Sequence, residues 1–463
     1  MHSNHSFIYL FCSFLLIGCG SSSTTEDVKE ETVEKVVEEV VEEVLEVSCD
    51  GLTRLNILEA SASQSIGGFS ANNIIDKSFM TDSRWSTVDE DQSVVLTLDN
   101  AALVKGISIA WLNEDARNYL YDVEISKDNN TWIPVLSAEM SDSSTTRAEY
   151  SKINEQSAKY IKLIVNTNNV DNSTHVVEVE VFGCHDDIAS NIELNDWYLS
   201  IPVDENLASK SESIKEDELV DNYFNHEFFF LDPEGGMVFR SPIEGAKTST
   251  NTRYTRTELR EMLRRGNTSI STQGINANNW VFSSAPLAEQ EQAGGVDGEL
   301  AAELSVNHVT TTGDRSQVGR VIIGQIHAND DEPIRVYYRK LPENEKGAIY
   351  LAHEILDGDD VYYELIGTRS KSASNPEGGI ELNEKFSYQI SVVGNQLTFT
   401  LSRPLKADII QIIDMSESGY DSGGQYMYFK AGVYNQNNTG DPKDYVQATF
   451  YKIENSHSGY LFN

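Results

Sequence analysis

The sequence predicts an all-β protein, and three observations support that prediction. Between residues 49 and 184, short stretches of alternating apolar and polar residues are separated by turn residues, without a helical period of useful length. From residue 194 onward many further stretches alternate in the same way, and one helix is expected around Glu212 to Val220. Residues 426–436 show the alternation most clearly. The pattern is typical of two successive domains built from packed β-sheets.

The first 19 residues are expected to be an export signal. The apolar run from Phe7 to Gly18 is too short to span a bilayer as a stable helix. It ends in Leu16-Ile17-Gly18-Cys19, which resembles the bacterial lipobox, and the resemblance implies lipidation at Cys19. Because no Lys or Arg precedes the run, a plain secretory signal is the alternative. We expect an exported chain, lipid-anchored to the bacterial (outer) membrane or secreted.

Residues 20–48 are expected to form an acidic tether. The stretch from Glu26 to Val47 carries ten acidic residues against Lys29 and Lys35, so it repels itself and stays solvated. Valines at 33, 37, 40, 44 and 47 indicate a coiled-coil seam as the alternative, although the repeat covers too few heptads.

The cysteines predict how the next segment is closed. Of four cysteines, Cys12 and Cys19 lie in the signal, which leaves Cys49 and Cys184 as a pair in an oxidising compartment. The two bracket a segment of domain size, so we expect a disulfide between its ends. The predicted organisation is therefore a domain over 49–184, a linker over 185–192 and a second domain over 193–463.

Charge narrows the range of partners. The formal net charge is -38, and no P-loop, dinucleotide fingerprint or zinc-ligand spacing appears, so we expect no nucleic-acid partner. Arginines nevertheless cluster at 253, 256, 260, 264 and 265, and Lys430 comes from another predicted strand. This distribution predicts a basic groove on an acidic body, suited to carboxylates that arginine binds bidentately.

Three predicted strands each carry a polar face. In residues 426–436 one face is an ordinary core face and the other is polar. The polar face contains Tyr426, Tyr428, Lys430, Gly432, Tyr434 and Gln436. Alternation likewise groups Arg256, Glu258 and Arg260, and it places Gln325 beside His327. A solvated sheet face is the alternative for any one strand, but the combined set suits a carboxylated substrate and proton transfer.

These stretches resemble a known family. Arg256-Thr-Glu-Leu-Arg260, Gln325-Ile-His327 and Tyr428-Phe-Lys-Ala-Gly-Val-Tyr434 are similar, in order, to the signature motifs of polysaccharide lyase family 7, the alginate lyases. The resemblance covers about residues 190–463 and implies a β-jelly roll that cleaves alginate, an anionic polysaccharide, by β-elimination without a catalytic cofactor or metal. A monomer is expected.

The β-elimination reaction requires three kinds of catalytic group, and the motif residues can supply them. The uronate carboxylate must be neutralised, for which Arg256 and Gln325 are the candidates. A neutral His327 can take the C5 proton, and Tyr434 can donate one to the leaving oxygen. Expected substrate-binding residues are Glu258, Arg260, Lys430, Tyr428 and Gln436. In the family, isoleucine within the Gln-x-His motif goes with guluronate cleavage, so Ile326 predicts a preference for polyguluronate or mixed blocks. Whether cleavage is endo or exo stays open.

The first domain resembles another family. Asn73-Ile-Ile-Asp76, Thr81 and Trp85, the stretch Ser126 to Trp132, and Glu178-Val-Glu-Val-Phe-Gly183 are similar to the discoidin-like fold of carbohydrate-binding module family 32. The resemblance implies a β-sandwich and one structural calcium, with Asp76, Thr81 and Glu178 as the matching ligands. The usual Asp-Gly reads Asp76-Lys77 here, which departs from the family pattern.

Two other functions stay open at this point. A polysaccharide-binding, lectin-like surface protein without turnover is one, and a lyase of another polyuronate such as glucuronan is the other. A hydrolase is less favoured because no well-placed carboxylate pair emerges.

Overall fold

A computed structural model describes residues 52–112, 117–142, 148–184, 192–204 and 210–460. The predicted signal, Cys19, the acidic tether, Cys49 and residues 185–191 lie outside these ranges. Within them, no helix is both long enough and apolar enough to cross a membrane.

The described residues form 25 strands, two short α-helices and a 3₁₀ turn at Ala71–Ile75. In the N-terminal domain the strands are β1 Thr53–Arg54, β2 Ile57–Ala62, β3 Trp85–Thr87, β4 Gln92–Trp111, β5 Tyr119–Ser126, β6 Ile133–Met140, β7 Glu149–Asn168 and β8 Thr174–Cys184. In the C-terminal domain they are β9 Trp197–Ile201, β10 Glu212–Ile214, β11 Phe229–Leu231, β12 Met237–Pro242, β13 Arg256–Glu261, β14 Trp280–Val281, β15 Gly295–His308, β16 Arg320–His327, β17 Ile334–Arg339, β18 Lys346–Glu354, β19 Asp360–Ile366, β20 Ile380–Glu381, β21 Phe386–Val393, β22 Gln396–Ser402, β23 Ile409–Asp414, β24 Tyr428–Asn435 and β25 Tyr445–Ser458. The helices are α1 Glu216–Val220 and α2 Leu287–Gln290.

The N-terminal domain is organised around β4, which pairs with β2, β7 and β8. Alternate residues of these strands point into one apolar core, in which Trp85, Leu96, Leu163 and Val181 are buried. The all-β prediction is confirmed for this domain.

The C-terminal domain is a jelly roll of two large sheets. The inner sheet has the strand order β10-β9-β13-β24-β16-β17-β18-β19, and the outer sheet runs β23-β22-β21-β15-β25-β12-β11. Their facing sides enclose a large core that contains Leu259, Ile326, Phe429 and Phe450. Each such side chain contributes about 1.5–3 kcal/mol by leaving water. The core fixes the inner sheet, whose other face carries the polar residues.

The expected helix is shorter than predicted. Residues Glu212–Ile214 form the edge strand β10, and only Glu216–Val220 is helical. The backbone of Glu212–Ile214 pairs with β9, so sheet pairing replaces the first helical turn.

The outer sheet continues into the N-terminal domain. Thr53 of β1 pairs in parallel with Leu231 of β11, while β1 also pairs with β8. Behind this contact, Glu180 accepts hydrogen bonds from Arg54 at 2.8 Å and from Arg240 at 2.7 Å, and all three residues are buried. We call Glu180, Arg54 and Arg240 the Glu180 joint. Cys184, at the end of β8, is disulfide-bonded, and its pairing with Cys49 stays a prediction.

Candidate active site

The central strand of the inner sheet, β24, has one face in the core, and its other face carries polar residues; we call this polar face of the inner sheet the cleft. Phe429, Ala431 and Val433 are completely buried in the core. Gly432 has φ +132°, and a Cβ there would lie 2.6 Å from the Thr257 carbonyl oxygen and 3.0 Å from the Phe239 ring. No side chain fits at this position between β24 and β13, so glycine is required.

Strand register places the polar residues of three strands in adjacent rows. Along β24, Tyr428 lies opposite His327 and Lys430 lies opposite Gln325. On the other side, Gly432 lies opposite Glu258 and Tyr434 lies opposite Arg256. The predicted sharing of one face by these strands follows directly from the two-residue period.

Glu258 is the centre of this face. Only 2% of the residue is exposed. Its Oε2 accepts hydrogen bonds from Arg256 at 2.9 Å and from Lys430 at 2.7 Å, and its Oε1 accepts one from Gln325 Nε2 at 2.6 Å. Burial raises the pKa of Glu258, but the charges of Lys430 and Arg256 outweigh it and lower that pKa. We call Glu258, Arg256, Gln325 and Lys430 the Glu258 cluster.

The cluster has unused hydrogen-bonding atoms. Arg256 Nε and Gln325 Oε1 are buried and have no hydrogen-bond partner among the residues that the structure describes. A carboxylated ligand with hydroxyl groups could satisfy both atoms, since Nε–H is a donor and Oε1 an acceptor.

His327 borders the cluster at one end. Its Nδ1 lies 2.5 Å from the Ala328 carbonyl oxygen, which assigns the proton to Nδ1 and leaves Nε2 as the basic atom. Its ring stacks on Tyr428 with centroids 5.0 Å apart. The side chain is 20% exposed and so remains accessible from the cleft. Burial, together with the positive charge of Lys430, lowers the pKa of His327 to about 3, which keeps the imidazole neutral.

Tyr434 borders the cluster at the other end. Arg256 lies over its ring, with Cζ 3.7 Å from the centroid. Burial raises the pKa of Tyr434 more than Arg256 lowers it, so the phenol keeps its proton. Lys430 between the two ends is titratable, because burial and the charge of Arg256 lower its pKa to about 8.

Comparison with known proteins decides the family. A family profile described as alginate lyase matches residues 192–457, which is more than half of the chain. The chain belongs to the alginate lyase family. A second profile, the F5/8 type C domain, matches residues 59–179. Both domain resemblances, the discoidin-like sandwich and the jelly roll, are thereby confirmed.

Individual proteins and solved structures are also similar to this chain. An alginate lyase of Klebsiella pneumoniae is 60% identical over 274 residues, covering 57% of this chain and 89% of the relative. The crystal structure of an alginate lyase from Klebsiella pneumoniae is 59% identical, covers 58% of this chain and 97% of that chain, and has a TM-score of 0.57. A truncated AlyQ with CBM32 and alginate lyase domains is 18% identical, covering 88% of this chain and 99% of that chain with a TM-score of 0.37.

Three residues predicted to bind substrate in this alginate lyase lie apart from the Glu258 cluster. Arg260 is buried, and its guanidinium donates to the backbone carbonyls of Glu261 and Thr272. It also lies over the Tyr428 ring at 3.8 Å, so Tyr428 is held between Arg260 and His327. Gln436 follows the end of β24, and its Nε2 donates to the Asn435 carbonyl oxygen at 3.4 Å.

The predicted basic groove is wrong in its composition. Arg264 and Arg265 follow the end of β13 and pair with Glu216 and Asp196, at 2.8 and 2.9 Å. Neither guanidinium is therefore available to a polyanion in the cleft of the lyase.

One acidic group beside the base was missed. Glu332 Oε1 lies 3.5 Å from His327 Nε2, and Arg335 is 3.8 Å from Glu332 Oε2. Burial raises the pKa of Glu332 to about 7. Glu332 lies in the connection between β16 and β17, so no strand alternation points to it.

The predicted calcium ligands do not form a shell. The Asp76 carboxylate accepts hydrogen bonds from Ser78 and Ser83, and the Thr81 carbonyl accepts one from Arg84. Among the described residues, no group of three His, Cys, Asp or Glu side chains is arranged to hold a metal. Glu178 Oε2 is buried and has no hydrogen-bond partner within the described ranges, a feature that would suit a cation.

Proposed function

We propose that the C-terminal domain cleaves alginate by β-elimination, prefers polyguluronate or mixed blocks, and releases unsaturated oligouronates. One observation carries this proposal. A buried cluster that can bind a carboxylate lies between a neutral histidine and a protonated tyrosine on a single sheet face.

The carboxylate of the unit to be cleaved would bind at the Glu258 cluster. Arg256 and Lys430 supply positive charge, and Glu258 holds both side chains in place from behind. Positive charge at the carboxylate acidifies the C5 proton and stabilises the enolate-like intermediate. The unused Arg256 Nε and Gln325 Oε1 give this site further hydrogen bonds in a desolvated setting.

Proton transfer then involves the two ends of the cluster. His327 Nε2 takes the C5 proton, the C5–H electron pair forms the C4–C5 double bond, and the C4–O bond breaks. Tyr434 donates its phenolic proton to the departing oxygen. The substrate's negative charge raises the pKa of His327 toward a useful value, and Glu332 at 3.5 Å stabilises the imidazolium that forms.

The preference follows from placement of the base and the acid. Guluronate and mannuronate are C5 epimers, so the C5 proton lies on opposite faces relative to the leaving oxygen. His327 and Tyr434 at opposite ends of the cluster suit the anti arrangement of guluronate. Ile326 is buried in the core, so it acts only through packing that sets the position of the base. Since one methylene is worth only about 1–3 kcal/mol, we expect preference and not exclusivity.

Initial rates of the full chain on polyguluronate and polymannuronate, followed by the absorbance of the new double bond, test this proposal. Faster cleavage of polyguluronate is expected. Faster cleavage of polymannuronate would overturn the preference, and no absorbance on either polymer would overturn the reaction.

We further propose that the N-terminal domain binds carbohydrate and that lipidated Cys19 holds the exported enzyme at the membrane. When the chain is expressed in a Gram-negative host, the wild type is expected to incorporate a radioactive fatty acid. The Cys19→Ala variant is expected to incorporate none. Equal labelling of the two chains would contradict the anchor.

A further inference from the structure

A second pocket lies on the inner sheet beyond Tyr434. Its volume is about 550 Å³, and its lining includes residues of β16, β17, β18 and β19. The side chains that matter are Arg320, Arg339, Arg369, Lys371, Tyr337 and Tyr350, and we call this the Arg320 pocket.

The Arg320 pocket lies next to Tyr434. Tyr434 packs against a small apolar cluster that includes Tyr337 and Tyr350, whose rings stack with centroids 4.7 Å apart. Ile322 lies opposite Tyr434. Arg320 is two residues from Ile322 on β16, so the two residues are about 7 Å apart at the usual rise of a strand. A chain bound across the Glu258 cluster and Tyr434 therefore reaches the Arg320 pocket if it continues along the sheet.

The charge of the pocket is opposite to that of the protein. The chain carries a net charge of -38, yet four cations line the pocket: Arg320, Arg339, Arg369 and Lys371. Among the described lining residues the one carboxylate is Glu364, which accepts hydrogen bonds from Thr368 and from the Arg369 backbone. Local charge decides the attraction of a ligand, because distant charges are screened within about 8 Å.

Two of these cations, Arg320 and Arg339, lie directly opposite each other in register, and neither forms an ion pair within the described residues. Arg339 is only 5% exposed, and its two terminal nitrogens already donate to the backbone carbonyls of Arg369 and Arg315. Arg320 donates to the Gln436 carbonyl at 3.1 Å, and its buried Nε has no partner among the described residues. Like charges opposite each other oppose folding, and a carboxylate bound in the pocket would offset that repulsion.

We infer that the Arg320 pocket is a subsite for the carboxylate of a uronate unit distant from the bond that is cleaved, on the Tyr434 side. The inference rests on the proposed function, since it extends the path of the same polyuronate.

The test removes two exposed cations and leaves the catalytic residues intact. Arg369→Ala/Lys371→Ala is compared with Lys406→Ala/Lys452→Ala, which removes two exposed charges elsewhere. Activity is measured on alginate and on alginate oligomers of increasing length. The pocket variant should raise KM on the polymer about fivefold with kcat unchanged, whereas the control should match the wild type. The shortest oligomer that is cleaved should show no effect.

Equal KM on the polymer for the pocket variant and the control would overturn the inference, and so would an equal effect at every oligomer length. If the wild type cleaves no uronate, the proposed function fails. Calorimetric binding of the same oligomers to His327→Ala, with and without the pocket substitutions, then decides the subsite by its length dependence.

Discussion

The Glu258 cluster and the Glu180 joint are built from the same parts but differ in what they leave unpaired. Each is a buried carboxylate bound by two cations. Around the Glu180 joint, Arg240 lies near the rings of Phe79, Phe230 and Tyr445, at 5.0 to 5.3 Å. Burial raises the pKa of Glu180, but Arg240 and Arg54 outweigh it and lower that pKa to about 2.

The Glu258 cluster keeps unused atoms and a titratable cation. Arg256 Nε and Gln325 Oε1 have no hydrogen-bond partner in the described part of the chain, and burial and the charge of Arg256 lower the pKa of Lys430 to about 8. A buried charge network whose hydrogen-bonding atoms are all satisfied within the protein supports the fold. A network with unsatisfied hydrogen-bonding atoms can bind a ligand.

Replacing the base should have the largest effect. His327→Ala is expected to lower kcat about 10³-fold, the usual contribution of a positioned base, while substrate still binds at the Glu258 cluster. Steady-state kinetics and calorimetric binding check this, with the melting temperature as the folding control. Wild-type turnover in this variant would mean that another group takes the proton.

Neutralising the two carboxylates should separate the two regions. Glu258→Gln is expected to lower kcat/KM roughly 10²-fold, because Arg256 and Lys430 lose the group that positions them. Glu180→Gln is expected to leave kcat/KM within about twofold but to cost about 3–5 kcal/mol of stability, since two buried arginines lose their counter-ion. Kinetics at a temperature where both variants are folded, with urea unfolding, measure the two effects. An activity loss in folded Glu180→Gln would contradict the comparison.

Alkaline pH should affect the cluster through Lys430. The side chain is charged below its pKa of about 8 and neutral above it, so kcat/KM should fall up to tenfold per pH unit above about pH 8. Lys430→Arg, which keeps its charge, should shift this limb to higher pH. An unchanged limb in Lys430→Arg would assign it to another group.

The smallest effect concerns Glu178 in the N-terminal domain. Burial and the nearby Glu180 and Asp76 charges raise its pKa, so its contribution to stability is present at acidic pH and is lost as pH rises through the folded-state pKa. Glu178→Gln should therefore stabilise the chelator-treated protein at neutral pH by about 1–3 kcal/mol. Urea unfolding of the two proteins in EDTA at neutral pH measures this difference. Equal stabilities would show that an ionised Glu178 carries no burial cost.

The sequence predicted the cleft face well because strand alternation is local. Arg256, Glu258, Gln325 and Lys430 converge as expected from a two-residue period and from register between neighbouring strands. The partners of a long side chain, in contrast, depend on segments that are distant in the sequence. Arg260 has the right parity, but its guanidinium is held by carbonyls that only the folded loops bring near.

The pairing of strands that are distant in the chain could not be predicted from the sequence either. Arg320 and Arg339 meet because β16 and β17 pair in one particular register. The alternation of Arg335, Tyr337 and Arg339 in β17 was the one signal that could have drawn attention to this part of the sheet. The joining of β1 to β11 depends on packing between whole domains, and no motif encodes it.

We propose that the Glu258 cluster supports elimination and not hydrolysis. The most direct test counts C4–C5 double bonds and new reducing ends in the same digest of alginate by the full chain. One double bond is expected for each new reducing end. Reducing ends that appear without the double-bond absorbance would contradict it.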